Sequence, residues 1–489
     1  MSVGKAPVWS SQLAAYLGTI GAAVGLGSIW RFPYLAGTYG GGTFIIVFVF
    51  ACLFIATPLL TAEFMIGRHA RLPPTSAAGA LAASVGASRR WNAIGQIATL
   101  AVFLIGSYYT LIAGWVIAYA VKCAHGDLAG LSRPAVRAEW HAFLSNPWQL
   151  MSWQLLFVVT VAFISGRGLG RGIEVASRMR APALLVLLLL LDGYSLYTGD
   201  VAAALHFSFA PHWKAMSANL VLAAIGQAFF ATGVGLGMML AYGSYMSSEA
   251  PLVRPALAIS GSILLASLLA TLLVFPLVFR FHMDPAGGPA LVFDVLPTVF
   301  AVMPGGRLVG TIFFLLLILA ALTPMVAAFE PVVAWLGTRG WSRPRAAAAS
   351  ALALWATGLG SVLSFNVLAE WHPLEAVPLL AGKTLFELID FLAGNVLAPV
   401  GALLTCLLMG WRLDRAIFAA ELPGTAPFVQ RVCRMLLRYV APLAIGACCW
   451  PLSCRDAPER TGEGQSSGCT TPLPRCEKSS SQLPSQREA

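Results

Sequence analysis

The sequence predicts an all-α polytopic membrane protein, on three observations. Of its 489 residues, 58% are hydrophobic and only 11% charged, whereas soluble domains carry about 25% charge. Apolar stretches long enough to cross a bilayer, which takes about 20 helical residues, recur from the first turns of the chain to near residue 450. Two of those stretches carry the same string at their centres, Val24-Gly25-Leu26-Gly27 and Val234-Gly235-Leu236-Gly237. Short alternating strands, the mark of a membrane barrel, are not the pattern, so helices are expected.

The apolar runs place eleven spans at 11–36, 42–67, 93–121, 149–165, 181–198, 217–246, 256–279, 308–336, 347–365, 384–410 and 434–450. The first follows almost no basic segment and ends in Trp30-Arg31-Phe32-Pro33 rather than at a small-residue cleavage site, so it is expected to stay as a span. Span 2 carries Glu63, span 5 is interrupted by Asp192, and span 8 carries Glu330. Such carboxyls inside a span are expensive, and Asp192 or Glu330 is a candidate proton site. The eleventh run is about 16 residues, short for a crossing. Residues 1–450 read as one transmembrane domain, and 451–489, rich in Ser, Pro, Arg and Glu, as a disordered tail.

Lys and Arg favour one set of connections, including Arg68, Arg89, Arg171, Arg180, Arg343 and Arg431, over the alternate set with Arg133, Lys214, Arg280 and Lys383. By the positive-inside rule this predicts a cytoplasmic N-terminus for a multi-pass protein of the plasma membrane. Topology thus accounts for the net charge of +10 without a nucleic-acid partner. The nine cysteines have no metal or disulfide spacing, and the histidines fall mostly in loops. No nucleophile or His/Cys/carboxylate cluster in the spans supports an enzyme.

The repeated glycine string lies five spans apart, and a shift of five spans reverses topology, which predicts inverted repeats. Each interior glycine costs a helix about 1 kcal/mol relative to Ala, so these spans are expected to unwind at mid-membrane. Unwound ends expose N–H groups to anions and carbonyls to cations.

The run from Gly21 to Tyr34, with Gly40-Gly41-Gly42, Glu63, Gly67-Arg68, Tyr108-Tyr109, Trp115, Gly226 to Phe230, Ala320 to Thr323 and Ile389-Asp390-Phe391, resembles the neurotransmitter:sodium symporter family, in its bacterial eleven-span branch. The resemblance implies inverted five-helix repeats, spans 1–5 and 6–10, with discontinuous helices 1 and 6 and an extra eleventh span. It implies sodium-coupled uptake of an amino acid by alternating access, with sodium ion as the only cofactor and the lipid bilayer as surroundings. The substrate carboxylate would meet the backbone near Gly25, Leu26 and Gly27 and the Tyr109 hydroxyl, and its ammonium the carbonyls around Ala23, Phe230, Ala231 and Gly233. Amine transporters of the family carry an Asp where this chain has Gly25, which favours an amino acid. Ile105, Gly233, Leu236, Ala327 and Ala328 would line the side-chain pocket, and several of them are small, which suggests a roomy apolar site for a bulky hydrophobic or aromatic residue.

By the same resemblance one sodium ion would be held by Gly21, Val24, Ala320 and Thr323. Pro324 replaces a second hydroxyl, but it has no N–H to occupy the Ala320 carbonyl. A second sodium site would rest on Ser28, Ala231 and Ile263, of which only Ser28 offers an oxygen, so one sodium per substrate is expected. The chloride site of animal members keeps Gln227 and Ser267 but has Phe48 in place of a Tyr. Arg31 and Asp390 would form an outer gate over Phe230, with Glu63 supporting the unwound sixth helix. The inner gate of the family lacks its acid in Leu336 to Arg339, and the N-terminal match is Ala6 beside Lys5. A transport-impaired, substrate-binding sensor or decaying paralogue of the same fold is the alternative.

Overall fold

A computed structural model describes residues 9–286, 291–377 and 380–449; the tail after 450, and Lys5 and Ala6, lie outside the described residues. Among the described residues eight helices are long and apolar enough to cross a membrane, and a ninth when Gln12–Ala23 and Gly27–Thr38, bent by 47°, count as one. These nine are span 1, span 2 (Gly42–Ala70), span 3 (Arg89–His125), span 4 (Pro147–Gly166), span 5 (Gly172–Thr198), span 7 (Val253–Arg280), span 8 (Gly306–Gly337), span 9 (Arg343–Leu363) and span 10 (Leu385–Arg412). Span 6 is split into Ala218–Thr232 and Met238–Ser244, each half too short to qualify alone.

Span 11 corrects the sequence reading. Helix runs from Pro427–Met435 through Leu436–Val440 into Ala441–Cys449, long enough for a crossing. Its first turns were missed because Gln430, Arg431 and Arg434 dilute the hydropathy there. Span 5 likewise begins at Gly172, well before the expected 181, with arginines in its first turns.

Local chemistry fixes where the elements start. Ser11 accepts the Ala14 N–H at the head of span 1, and Ser217 accepts the Leu220 N–H at the head of span 6. Thr384 and Glu387 form a capping box that opens span 10. Shorter helices cover the ends of the bundle, among them Arg133–Ser145 and Leu291–Val302. There Trp140 stacks on Phe293 with ring centroids 5.0 Å apart. Spans 1, 3, 6 and 8 meet at the centre, and the breaks in spans 1 and 6 face each other there.

Candidate functional site

The two breaks are built differently although they share a string. In span 6, Gly233, Gly235 and Gly237 all have positive φ, 68°, 79° and 72°, a region that costs any residue with a Cβ. The Gly235 N–H freed by this turn donates to Glu63 Oε1 at 2.7 Å. Glu63 is 1% exposed, so it anchors the unwound segment from span 2. In span 1 no glycine of the string has positive φ; close approach is what requires glycine there. A Cβ on Gly25 would overlap the Pro324 ring, and one on Gly27 would lie 2.9 Å from the Phe230 ring.

A cavity of about 50 Å³ lies between the breaks, lined by Ala23, Gly25, Leu26 and Gly27 of span 1 and Phe230, Ala231, Gly233 and Leu236 of span 6. Ile105 and Tyr109 of span 3 and Ala328 of span 8 complete the expected lining. Ala327 is fully buried and does not reach the cavity. Val102, Gly106, Met238, Pro324 and Met325 line it as well and were not foreseen. Among the lining side chains only Tyr109 carries a polar group. Tyr109 donates to the Ala321 carbonyl at 3.3 Å, and its oxygen faces the Leu26 N–H. No ionisable carboxylate lines the cavity.

The expected roominess is not found. The space left by Gly233 and Gly106 is taken by the Met238 and Met325 side chains, whose methyl groups sit where each missing Cβ would be. Small residues in a list of lining positions say nothing of what leans into the gap. Thioethers are flexible and polarizable, so this wall can yield to a bound side chain.

Behind the span 1 break, span 8 comes close to span 1 at two of the expected sodium positions, Ala320 and Thr323. A Cβ on Gly21 would touch Thr323 Cγ2 at 3.0 Å, and one on Gly25 would lie 3.1 Å from the Ala320 carbonyl oxygen. The Thr323 hydroxyl donates its proton to Leu319 O at 3.1 Å, leaving its lone pairs for a cation. Pro324 sits inside the span 8 helix and withholds an N–H from Ala320. The Ser177 hydroxyl of span 5 lies 3.8 Å from the same Gly21 position, a hard oxygen the sequence did not flag. These donors, carbonyls and hydroxyls, suit a sodium ion. At the second expected sodium site Ser28 Oγ is buried without a partner, and at the expected chloride site so are Gln227 Oε1 and Ser267 Oγ. Gln227 Nε2 holds the Gly27 carbonyl at 2.7 Å. Ala231 and Ile263 are buried and bring no side-chain oxygen.

Above the cavity, the Arg31 guanidinium lies 4.5 Å from the Phe230 ring centre. It faces Tyr34 and Asp390, while Asp390 faces the Tyr108 hydroxyl. The ion pairs closer than 4 Å among the described residues do not include Arg31 and Asp390. Below the cavity the closure is made of residues the sequence reading did not join. Arg343 grips fully buried Glu330 with Nη1–Oε1 at 3.0 Å and Nη2–Oε2 at 2.6 Å. The Tyr245 hydroxyl donates to the same carboxylate, and Trp9 donates its backbone N–H to Tyr245 O at 3.1 Å. Ser10 caps this end by donating twice to Glu174. Asp192 lies apart, buried, with neither oxygen hydrogen-bonded.

Inverted repeats with two facing broken helices, enclosing a small apolar cavity with backbone polar groups, define a secondary transporter rather than an enzyme. The chain belongs to the sodium:neurotransmitter symporter family, whose model matches residues 6–133 and 136–369. It is 36% identical over 451 residues to the uncharacterized sodium-dependent transporter YhdH of Bacillus subtilis, covering 91% of this chain and 97% of that one. An uncharacterized sodium-dependent transporter of Haemophilus influenzae is 30% identical over 450 residues, 89% of this chain and 96% of that one. The crystal structure of MhsT in complex with L-phenylalanine superposes with a TM-score of 0.83 at 35% identity, covering 90% of this chain and 98% of that one. The protein is thus a sodium-dependent multi-pass membrane transporter.

Proposed function

We infer that this transporter takes up a hydrophobic or aromatic L-amino acid, with one sodium ion per substrate and the N-terminus in the cytoplasm of a bacterial inner membrane. The observation that carries the reading is the make-up of the cavity lining, in which the Tyr109 hydroxyl is the one polar side-chain group and every other lining side chain is apolar or absent. A zwitterion needs no charged partner there, since helix ends supply about half a unit charge each. A biogenic amine would need a carboxylate, and position 25 has no room for one beside Pro324. L-phenylalanine bound to MhsT supports the substrate class.

In this reading the substrate carboxylate meets Leu26, Gly27 and Tyr109, and its ammonium meets carbonyls of Ala23, Phe230, Ala231 and Gly233. Met238 and Met325 give way to the side chain. Sodium is held by the Gly21, Val24 and Ala320 carbonyls and the Thr323 hydroxyl, which ties the span 1 break to span 8. Arg31 and Asp390 close the outer side above Phe230. Proteoliposomes with an inward sodium gradient test this directly: labelled leucine, phenylalanine or tryptophan should accumulate above equilibrium, at one sodium per substrate. Glycine and alanine outcompeting them would overturn the substrate class, and two sodium ions per substrate the stoichiometry. Binding without accumulation would make the chain a substrate sensor.

A further inference from the structure

A second cavity, of about 530 Å³, shares no lining residue with the central one and lies between spans 4 and 9. Its walls are Leu155, Val159 and Phe163 on one side and Ala348, Leu352 and Trp355 on the other. Several point outward from the bundle: Phe163 is 60% and Leu352 66% exposed. One cation interrupts this apolar lining, Arg167, just past the end of span 4. Its guanidinium lies 3.9 Å from the Phe163 ring centre, at the mouth of the groove.

Two guanidiniums gather at this end, and they are not equivalent. Arg343 packs beside Gly168, but its charge is matched by Glu330 and it also donates to the Ser165 carbonyl at 2.9 Å. Arg167 takes part in none of the ion pairs among the described residues. A positive charge at the boundary between hydrocarbon and headgroups, above a groove open to the acyl chains, attracts lipid phosphate. From Leu155 to Gly166 the groove follows span 4 for about 17 Å at about 1.5 Å per residue. That is close to the about 15 Å of hydrocarbon in one leaflet. The Trp355 indole, tied to the Met151 carbonyl at 3.3 Å, sits toward the far end.

We propose that the groove between spans 4 and 9 is a binding site for an anionic phospholipid, with one acyl chain along Val159, Phe163 and Leu352 and the phosphate held by Arg167. The site is structurally separate from the transport cavity and does not depend on which amino acid is carried.

The test uses the full chain in phosphatidylcholine vesicles containing a small fraction of acyl-brominated phosphatidylglycerol, or of acyl-brominated phosphatidylcholine. Bromine quenches nearby tryptophan, and subtracting the signal of Trp355→Phe isolates the emission of Trp355. About five-fold stronger quenching by the glycerol lipid is expected, the worth of one juxtamembrane cation. Arg167→Gln should bring the ratio to about one, while Arg167→Lys, which keeps the charge, should retain most of it. Sodium-driven uptake by the same vesicles verifies that each variant is folded. Equal quenching by the two lipids overturns the proposal, as does a preference that survives Arg167→Gln. Loss of the preference on adding free glycerol phosphate would assign Arg167 to a soluble anion and overturn the lipid.

Discussion

Thr323 and Ser177 approach Gly21 from different helices, spans 8 and 5, and the difference between them is testable. Thr323 already donates its proton within its own helix, so its oxygen costs little to offer to a cation. Thr323→Ala should raise the sodium concentration for half-maximal uptake by about ten-fold or more, and Ser177→Ala by about five-fold, about 1 kcal/mol of lost oxygen contact. An unchanged sodium dependence in Ser177→Ala would remove that hydroxyl from the site. The methionines carry a second residue-scale expectation. Met325→Ala opens the wall beside Gly106, and the ratio of tryptophan to leucine kcat/KM should rise by about ten-fold, the usual worth of a reshaped apolar pocket. An unchanged ratio would mean that Met325 does not limit the pocket. None of this crowding was legible in the sequence, because it depends on where long side chains lean from other spans. The backbone positions were legible, since Gly25, Leu26, Gly27, Tyr109 and Phe230 belong to strings that identify themselves.

At the scale of elements, the two Val-Gly-Leu-Gly strings marked both breaks correctly and misled about their likeness. Three positive φ values unwind span 6, while span 1 bends by 47° and uses its glycines to admit Pro324 and Phe230. Sequence pattern reports that a Cβ is absent, and only the packing says whether conformation or space demanded it. The start of span 11 was hidden for a related reason: a charged first turn is read as loop unless its partner is known. The segment leading to it is tied back to span 2, where Arg68 donates to Glu421 at 2.8 Å and His69 Nδ1 lies 2.8 Å from the same carboxylate. Burial pushes the Glu421 carboxyl up, but hydrogen bonds from His69 and Arg68 outweigh it and hold it below its ordinary value of 4.5. A depressed carboxyl stabilises the fold above its unfolded pKa and loses that contribution as pH falls through the folded one. Thermal stability in detergent should therefore be insensitive to pH near neutrality and decline below about 4.5. Glu421→Gln should lose about 1–3 kcal/mol at pH 7 and flatten that decline; an unaltered acid limb would exclude Glu421 as its source.

For the whole molecule, the proposed transport by alternating access with the N-terminus inside requires that the outer closure above the cavity and the inner one below it never open together, and the two differ in strength. The outer one is loose: Arg31 rests on Phe230, and Asp390 faces Tyr108. The inner one is a two-point ion pair of fully buried Glu330 with partly exposed Arg343, with Tyr245 and Trp9 locked to it. Its site was sought at residues 336–339, where the acid is missing. Here the acid stands two turns earlier in span 8, and its partner comes from the start of span 9, a pairing that no single stretch of sequence displays. Breaking a buried pair on one side costs about 3–5 kcal/mol. That is ample to hold the inner side shut, since about 1.4 kcal/mol is already a ten-fold change in population. Glu330→Gln keeps the shape and removes the charge, so the balance should move toward inner opening. With Ala328→Cys placed in the cavity lining, a membrane-impermeant thiol reagent applied from the cytoplasmic side should react at least ten-fold faster in the Glu330→Gln background than without it. Uptake should fall because a transporter biased toward inner opening returns less often to the outward-open state that loads sodium and substrate. Equal labelling in both backgrounds would show that Glu330 and Arg343 hold the helices together without governing which side is open.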